Sequence, residues 1–464
     1  MINLKIAFIG AGSIAFGENV LTDLMTFPSV QKDTMICLED LDEHRVDLMY
    51  KLMSKYKEMD TKKFEGVSFE KTTDLKKAIS DAKYIISAIH VGGLDAYQVD
   101  VEVPFKYGVS QCVGDTLGPG GIFRFLRNAP VLKQIVELIN QVGFNIGAKE
   151  GGPIFLNYTN PMAMNTWYCN SISPDSTVGL CHGVQGTSGM LMNWIGAKPE
   201  NFSYLCAGIN HMAWFLELWY RDSNSSNFPW KNAYPLLYDA YNINPNLIGG
   251  ESLRWDMMEA TGYFMTESTG HLSEYLPYYR KRSDLLEKYS GAKTGFDSLL
   301  QAEDYRIQIK NLGRMERRFE RRLSKMKLTP KRIPSLEFIS HIINAMENDV
   351  PFRFNGNVMN KNGSLITNLP KECCVEVPAF ADYQGLHPQG GIVLPTVCQA
   401  LCTSNVMVQK AAVEGQINLD KEKIYHAVLL DPNTASVCSP KEIRDMVDEM
   451  FEAEKRWLPQ FNGL

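Results

Sequence analysis

Two short segments of the chain contain side chains that bind transition metals. Cys181 and His182 lie at the end of the strand-like stretch Val178–Cys181, and His211 follows Asn210. A thiolate and an imidazole suit zinc, iron, cobalt or manganese, and the soft sulfur favours zinc on affinity alone. Neither spacing is that of a zinc finger, so we expect an open site in which substrate oxygens complete the ligand set. The alternative is that these side chains only pack in the core.

A glycine-rich turn near the N-terminus is typical of dinucleotide binding. Residues 10–15, Gly-Ala-Gly-Ser-Ile-Ala, follow the strand-like stretch 5–9 and open a helix, where backbone N–H groups can approach a pyrophosphate. Asp40 ends the second strand, and a carboxylate there accepts from a ribose hydroxyl and repels a 2′-phosphate, which favours NAD over NADP. The alternative is a tight turn without a ligand. The candidate cofactor-binding residues are Gly10, Gly12, Ser13, Ile14, Asp40 and His90.

Two further segments contain groups for substrate binding and proton transfer. In residues 115–124, Pro119 and the two glycines after it predict an irregular backbone before a helix that begins near Arg124. This loop either directs polar groups at an oxygen-rich ligand or is only a structural turn. We take Asp115 as a catalytic candidate and Arg124 as a substrate-binding candidate. Residues 271–279 offer several acid–base groups or form an aromatic packing segment, because tyrosine is a poor base unless a cation lowers its pKa from about 10.

The first part of the chain alternates strand and helix patterns. The strand-like stretches are 5–9, 35–38, 67–70, 84–89, 154–157 and 178–181, and the helix-like stretches are 15–25, 41–56, 75–81 and 131–142. This alternation predicts a parallel sheet with helices on both faces, and chemistry in such sheets collects beyond the carboxyl ends of the strands. The residues expected around that edge are Gly10, Gly12, Asp40, His90, Asn160 and Cys181.

From about residue 200 the pattern changes. Residues 216–220 read as an antiparallel strand, and 419–458 as amphipathic helix. The charged segment 306–327 interleaves acidic with basic residues, which indicates a solvated helix or a subunit contact. We therefore predict an α/β fold with an N-terminal Rossmann-type, NAD-binding parallel-sheet domain (1–196). A C-terminal mixed α+β domain (197–464) would serve substrate, metal and oligomerisation.

Composition excludes several classes of protein. Hydrophobic residues make up 45% of the chain and charged residues 22%, which excludes a disordered chain. The net charge of −6 disfavours nucleic acid as a partner. We find no bilayer-length apolar stretch and no signal-peptide pattern, and the ten cysteines are irregularly spaced. We therefore expect a protein of the reducing cytoplasm that has no membrane partner.

Several motifs occur together in the order of a known family. Residues 10–15, 115–124, 157–165, 181–187, 207–213 and 373–378 resemble the NAD- and divalent-metal-dependent glycosidases of glycoside hydrolase family four. The resemblance implies a redox-neutral elimination and addition, unlike two-carboxylate hydrolysis. NAD⁺ takes a hydride from C3 of the sugar, a base removes the acidified C2 proton, and the glycosidic oxygen leaves. Water then adds and NADH returns the hydride.

The resemblance also assigns residues. It implies that Cys181 and His211 bind the metal, usually Mn²⁺ in this family, and that Asn160 contacts the ring hydroxyls near C2 and C3. Tyr275 is our choice of base. His182 stands where phosphoglycosidase members have an aspartate thought to act as the acid, and a histidine there could protonate the leaving oxygen. The residues that remain open as the base are Glu267, His271 and Glu274.

The exact motifs point to one branch of the family. Residues 181–187 (CHGVQGT) and 115–121 (DTLGPGG) resemble the α-galactosidase (melibiase) branch, although the α-glucosidase and α-galacturonidase branches share the Cys-His pair. The expected partners are an α-glycoside and further copies of this chain, as a homodimer or homotetramer. An NAD-dependent hydroxy-acid dehydrogenase and a non-catalytic NAD-binding protein remain alternatives.

Overall fold

The computed structural model describes residues 4–13, 16–142, 153–222, 228–290, 298–325, 328, 335 and 337–463. In these residues thirteen strands form one sheet. The strands are β1 Leu4–Ile9, β2 Thr34–Glu39, β3 Val67–Thr72, β4 Tyr84–Ser87, β5 Ile154–Asn157, β6 Thr177–Gly179, β7 Phe202–Ile209, β8 Met212–Tyr220, β9 Lys231–Asn232, β10 Phe264–Met265, β11 Phe352–Met359, β12 Cys374–Asp382 and β13 Gly385–Pro388.

The α-helices of the same residues range from one turn to seven. They are α1 Phe16–Leu24, α2 Glu43–Met59, α3 Leu75–Ile79, α4 Gly93–Lys106, α5 Gly118–Val142, α6 Met162–Ile172, α7 Gly183–Trp194, α8 Tyr234–Ile243, α9 Ser252–Thr261, α10 Thr269–Leu272, α11 Ser283–Tyr289, α12 Glu303–Ser324, α13 Phe338–Asn348, α14 Thr396–Asn418, α15 Lys421–Leu430, α16 Pro432–Ala435 and α17 Pro440–Ala453. None of these helices combines the length and the apolarity that crossing a bilayer requires.

The first six strands form the predicted parallel sheet. They pair in parallel in the order β3-β2-β1-β4-β5-β6, which is the order of a dinucleotide-binding fold. Alternate residues of β1 pack into different hydrophobic clusters, Ile6 and Phe8 into one and Ala7 and Ile9 into another. Both faces of the sheet are therefore covered at β1, which is why this strand reads as an almost continuous apolar run.

The second half of the chain extends this sheet with antiparallel strands. β11 pairs with β6 and β12, β12 pairs with β7, and the hairpin β7–β8 continues to β10. The predicted fold class, a Rossmann-type parallel sheet followed by a mixed α+β part, is confirmed. The division at residue 196 stays a prediction, since strands from both sides of it join one sheet.

One expected local structure was partly wrong. Residues 115–117 are irregular as predicted, but residues 118–123 are helical, because α5 begins at Gly118 and includes Pro119 and both following glycines. A proline is tolerated in the first helical turn, where its missing N–H would have no helical partner. Every residue from Gly118 to Ala129 is buried, so tertiary packing outweighs the low helix propensity of glycine.

A fully buried ion-pair group connects α4, α5 and the residue after α17. Arg127 donates to both carboxylate oxygens of Asp100, at 2.8 and 2.6 Å, and to Glu454, and none of the three side chains is exposed. Its Nε also donates to the carbonyl of Val91, at 3.2 Å, in the loop after β4. This group therefore holds the C-terminal helix against the Rossmann part.

We expect Arg127→Met to lower the free energy of unfolding by about 3–5 kcal/mol, because two buried carboxyl groups lose their cation. Urea unfolding followed by circular dichroism measures the change. The control adds Asp100→Asn and Glu454→Gln to the same variant and should recover much of the loss. Equal stability of Arg127→Met and the wild-type chain would contradict this account.

Candidate active site

The carboxyl ends of the parallel strands bring the predicted residues to one edge. Gly10 follows β1, Asp40 follows β2, His90 lies after β4, Asn160 after β5 and Cys181 after β6. His211 reaches the same region from the turn between β7 and β8, where its φ of +61° is unusual for a residue with a Cβ. The order of the parallel strands and the position of the β7–β8 hairpin therefore determine which of these side chains come into contact.

The glycine turn has the shape that a dinucleotide requires. Gly10 has φ +80°, and a Cβ there would lie 2.5 Å from the carbonyl oxygen of Ala88. The N–H of Gly12 donates to Asp40 Oδ2 at 2.9 Å, so the acidic residue meets the turn directly. Ser13 continues the turn, its N–H donating to the carbonyl of Gly10, whereas Ile14 and Ala15 lie outside the described residues. The cradle and its carboxylate fit the nucleotide end of NAD.

A second group joins four predicted residues, which are His90, Asp115, Arg124 and Asn160. Arg124 Nη2 lies 2.9 Å from His90 Nε2, and Nη1 lies 3.6 Å from Asp115 Oδ2. Because a guanidinium only donates, His90 Nε2 must accept and is unprotonated. Asn160 donates from Nδ2 to Asp115 Oδ2 at 2.9 Å. Asp115 therefore links the cofactor side of the site to Asn160.

The two metal candidates meet a carboxylate. Glu267 Oε1 lies 3.8 Å from Cys181 Sγ and 3.6 Å from His211 Nε2. The other ring nitrogen of His211, Nδ1, lies 2.8 Å from the hydroxyl of Thr116, which orients the imidazole and leaves Nε2 facing the thiol and the carboxylate. The sulfur, nitrogen and oxygen donors at this point fit a divalent transition metal.

His271 connects this donor group to Asp115. Its Nδ1 lies 3.1 Å from Glu267 Oε2 and its Nε2 lies 2.8 Å from Asp115 Oδ1. Burial by itself would lower the pKa of His271, but the two carboxylates outweigh it and hold that pKa well above its usual value. Burial would raise the pKa of Asp115, but His271 and Arg124 hold it well below its usual value. The site is thus a carboxylate–imidazolium–carboxylate chain.

Two further pKa shifts concern the candidate metal ligands His211 and Cys181. Burial lowers the pKa of His211 to about 4, so its ring is neutral and can act as a ligand. Burial and the charge of Glu267 raise the pKa of the Cys181 thiol well above its usual value. A cation bound between Cys181 and His211 would favour the thiolate form of Cys181.

The two predicted proton-transfer residues lie in different environments. The hydroxyl of Tyr275 lies 3.3 Å from His211 Nδ1, and its ring is buried. Burial raises the pKa of Tyr275 well above its usual value. His182 faces outward, with its side chain 67% exposed and Nδ1 3.7 Å from Glu337 Oε1. Tyr275 therefore lies beside His211, on the ring nitrogen that faces away from Glu267, whereas His182 is exposed.

Sequence reasoning did not select several residues of the site. Thr116 orients His211, and the backbone N–H groups of residues 112–114 donate to the buried carboxyl of Glu274. Glu274 is one of the candidate bases, yet three backbone N–H groups donate to its carboxyl oxygens. Glu376 was missed, a buried residue whose pKa burial and the charge of Glu267 raise to about 8. The motif at residues 373–378 was the available signal for Glu376.

Comparison with known proteins gives a consistent result across the chain. A family model described as family 4 glycosyl hydrolase matches residues 5–197, and one described as family 4 glycosyl hydrolase C-terminal domain matches residues 206–434. The chain is 38% identical to an α-galactosidase of Rhizobium meliloti (strain 1021), over 99% of this chain and 90% of the relative. It is 34% identical to an α-galactosidase of Bacillus subtilis (strain 168), over 98% of this chain and 99% of the relative.

A solved structure has the same fold. The 6-phospho-α-glucosidase from gut microorganisms, in complex with NAD and Mn²⁺, is similar with a TM-score of 0.79, at 18% identity and over 98% of both chains. At that level of identity the similarity concerns the fold.

Proposed function

Since the chain belongs to family 4 of the glycosyl hydrolases, we propose that it hydrolyses terminal α-galactosides with NAD and a divalent metal, manganese. The observation that carries this proposal is the meeting of Cys181, His211 and Tyr275 at the sheet edge that also contains the Gly10–Asp40 turn. The identities of 38% and 34% to two α-galactosidases support the choice of sugar.

The turn at Gly10 and the carboxylate of Asp40 would hold the nucleotide, with His90 towards the reacting end. Asp40 sits where a ribose hydroxyl needs an acceptor, which supports NAD over NADP. Arg124 donates to His90 and lies beside Asp115, and these two contacts hold its guanidinium in place. From that position Arg124 would orient a sugar hydroxyl. The bound cofactor and metal supply transient oxidation at C3 and polarisation of the oxygens on C2 and C3.

The side chains around His211 would handle the C2 proton. Cys181 and His211 would hold the metal, and Asn160 would hydrogen-bond the hydroxyls near C2 and C3. Tyr275 would accept the C2 proton, because a metal bound at Cys181 and His211 would lower the pKa that burial raises. His182, exposed at the rim, would protonate the leaving oxygen as the aglycone departs towards solvent.

We also propose a cytoplasmic location and a homodimer or homotetramer. All ten cysteines lie in described residues and are free thiols, which suits a reducing compartment. The charged helix α12 would contribute to a subunit contact, with Ile309 and Leu312 among its exposed apolar side chains. The last two residues of the predicted segment 306–327 lie outside the described residues.

The proposed function is tested by a nitrophenyl α-galactoside assay on protein stripped of metal and nucleotide. We expect activity to fall at least about a hundredfold when either Mn²⁺ or NAD⁺ is left out, and to return when both are added, because each takes part in bond cleavage. The nitrophenyl α-glucoside and α-galacturonide are assayed under the same conditions. Faster hydrolysis of either one would assign the chain to the α-glucosidase or the α-galacturonidase branch.

Three outcomes would point elsewhere. Hydrolysis that is indifferent to both omissions would contradict the proposal. Net accumulation of NADH over many turnovers would favour a dehydrogenase. Tight NAD binding without turnover of any α- or β-glycoside would favour a non-catalytic protein.

A further inference from the structure

Glu267 has a backbone conformation that serves its side chain. It lies between β10 and α10 with φ +72°, a left-handed value that is costly for a residue with a Cβ. Its side chain is only 13% exposed. The surrounding packing therefore holds this carboxylate inward, among the donor atoms described above.

One oxygen of Glu267 has the position of a metal ligand. Oε1 lies 3.8 Å from Cys181 Sγ and 3.6 Å from His211 Nε2. Ligand atoms about 2.0–2.3 Å from a shared ion lie roughly 3–4 Å from one another, so the three atoms can surround a single ion.

The neighbouring residues leave room for this oxygen and orient the other one. A Cβ on Gly183 would collide with Glu267 Oε1, so glycine at the start of α7 is needed for the close approach. Oε2 is held by His271 Nδ1 at 3.1 Å, and the other nitrogen of that ring is held by Asp115. Such outer hydrogen bonds are how proteins orient carboxylate ligands.

We propose that Glu267 Oε1 is a third protein ligand of the metal, beside Cys181 Sγ and His211 Nε2. This rests on the proposed function and deepens it, because it removes Glu267 from the candidate bases and assigns it to the metal. A hard carboxylate oxygen also makes the ligand set more favourable for Mn²⁺ than a thiolate and an imidazole alone. Three protein donors would leave further positions on the ion for substrate oxygens and water.

The test measures metal affinity in the absence of sugar. Mn²⁺ is titrated into the full-length, metal-free protein and free Mn²⁺ is followed by its electron paramagnetic resonance signal. We expect Glu267→Gln to raise the Kd for Mn²⁺ by roughly 10–100-fold or more, because the amide keeps the shape and loses the charge. Glu267→Asp should lie between Glu267→Gln and the wild type.

The control variant is Tyr275→Phe, which removes a proton-transfer group and should bind Mn²⁺ like the wild type. NAD affinity of each variant shows that the Rossmann part is folded. Wild-type Mn²⁺ affinity in Glu267→Gln would overturn the inference, whether or not turnover is lost. Absence of Mn²⁺ binding by the wild-type chain would instead overturn the metal dependence of the proposed function.

Discussion

Replacing Cys181 by alanine is expected to lower turnover of an α-galactoside by at least about a thousandfold at saturating Mn²⁺, which corresponds to about 4 kcal/mol of activation free energy. The thiolate contributes negative charge and the only sulfur of the donor group formed with His211 and Glu267. Without it, only His211 and Glu267 would remain to hold the ion, and the oxygens on C2 and C3 would lose the polarisation that the metal would supply. Steady-state kinetics across a range of Mn²⁺ concentrations measures the loss.

A second cysteine gives the matched control for this prediction. Cys37 is a buried free thiol in β2 of the same sheet, remote in sequence from the donor group. Cys37→Ala should retain metal-dependent turnover, although it removes the same atom from the core. Turnover of Cys181→Ala within tenfold of the wild type would exclude this thiol as a metal ligand that matters for catalysis.

Replacing Tyr275 by phenylalanine is expected to lower kcat by roughly 10²–10⁴-fold, the usual contribution of a positioned general base. The ring should stay packed, because Tyr275 is buried and belongs to the hydrophobic cluster that includes Trp214 and Leu276. Only the hydroxyl near His211 Nδ1 is lost. Mn²⁺ and NAD⁺ affinities should therefore remain near those of the wild type.

Isotopic substitution tests whether Tyr275 acts in the deprotonation of C2. A substrate with deuterium at C2 should react more slowly with the wild-type protein, or its product should exchange at C2 with solvent, because elimination breaks that C–H bond. Wild-type turnover in Tyr275→Phe would reassign the base, and His271 would then be the next residue to test. Its imidazole is held between two carboxylates, so its replacement would also loosen Glu267 and Asp115.

Much of the fold was predictable because its signals are local. The apolar runs that became β1, β2, β4 and β5 were identified from sequence, as was the glycine turn after β1. A parallel sheet buried on both faces demands such runs, and a βα turn at a pyrophosphate demands small residues. The start of α5 was mistaken because helix propensity is a weak preference, and burial of residues 118–129 overrides it.

The candidate site was predictable to a different degree. Cys181, His211, Asn160 and Tyr275 were selected from motifs, and they do lie around one edge. The outward direction of the His182 side chain could not be predicted, because two consecutive residues near a strand end can point in opposite directions. The sequence gives no signal for Thr116, because a threonine whose hydroxyl orients an imidazole cannot be distinguished from any other threonine.

The amino-acid sequence by itself determined the fold class, the nucleotide turn and the residue types available for chemistry, because each depends on neighbours along the chain. Only the tertiary structure decided that Glu267 faces Cys181 and His211, and that His271 links it to Asp115. Cys181 follows β6, His211 lies in the turn between β7 and β8, and Glu267 lies in the loop between β10 and α10. Their meeting depends on strand order and packing over long sequence separations, which no local pattern records.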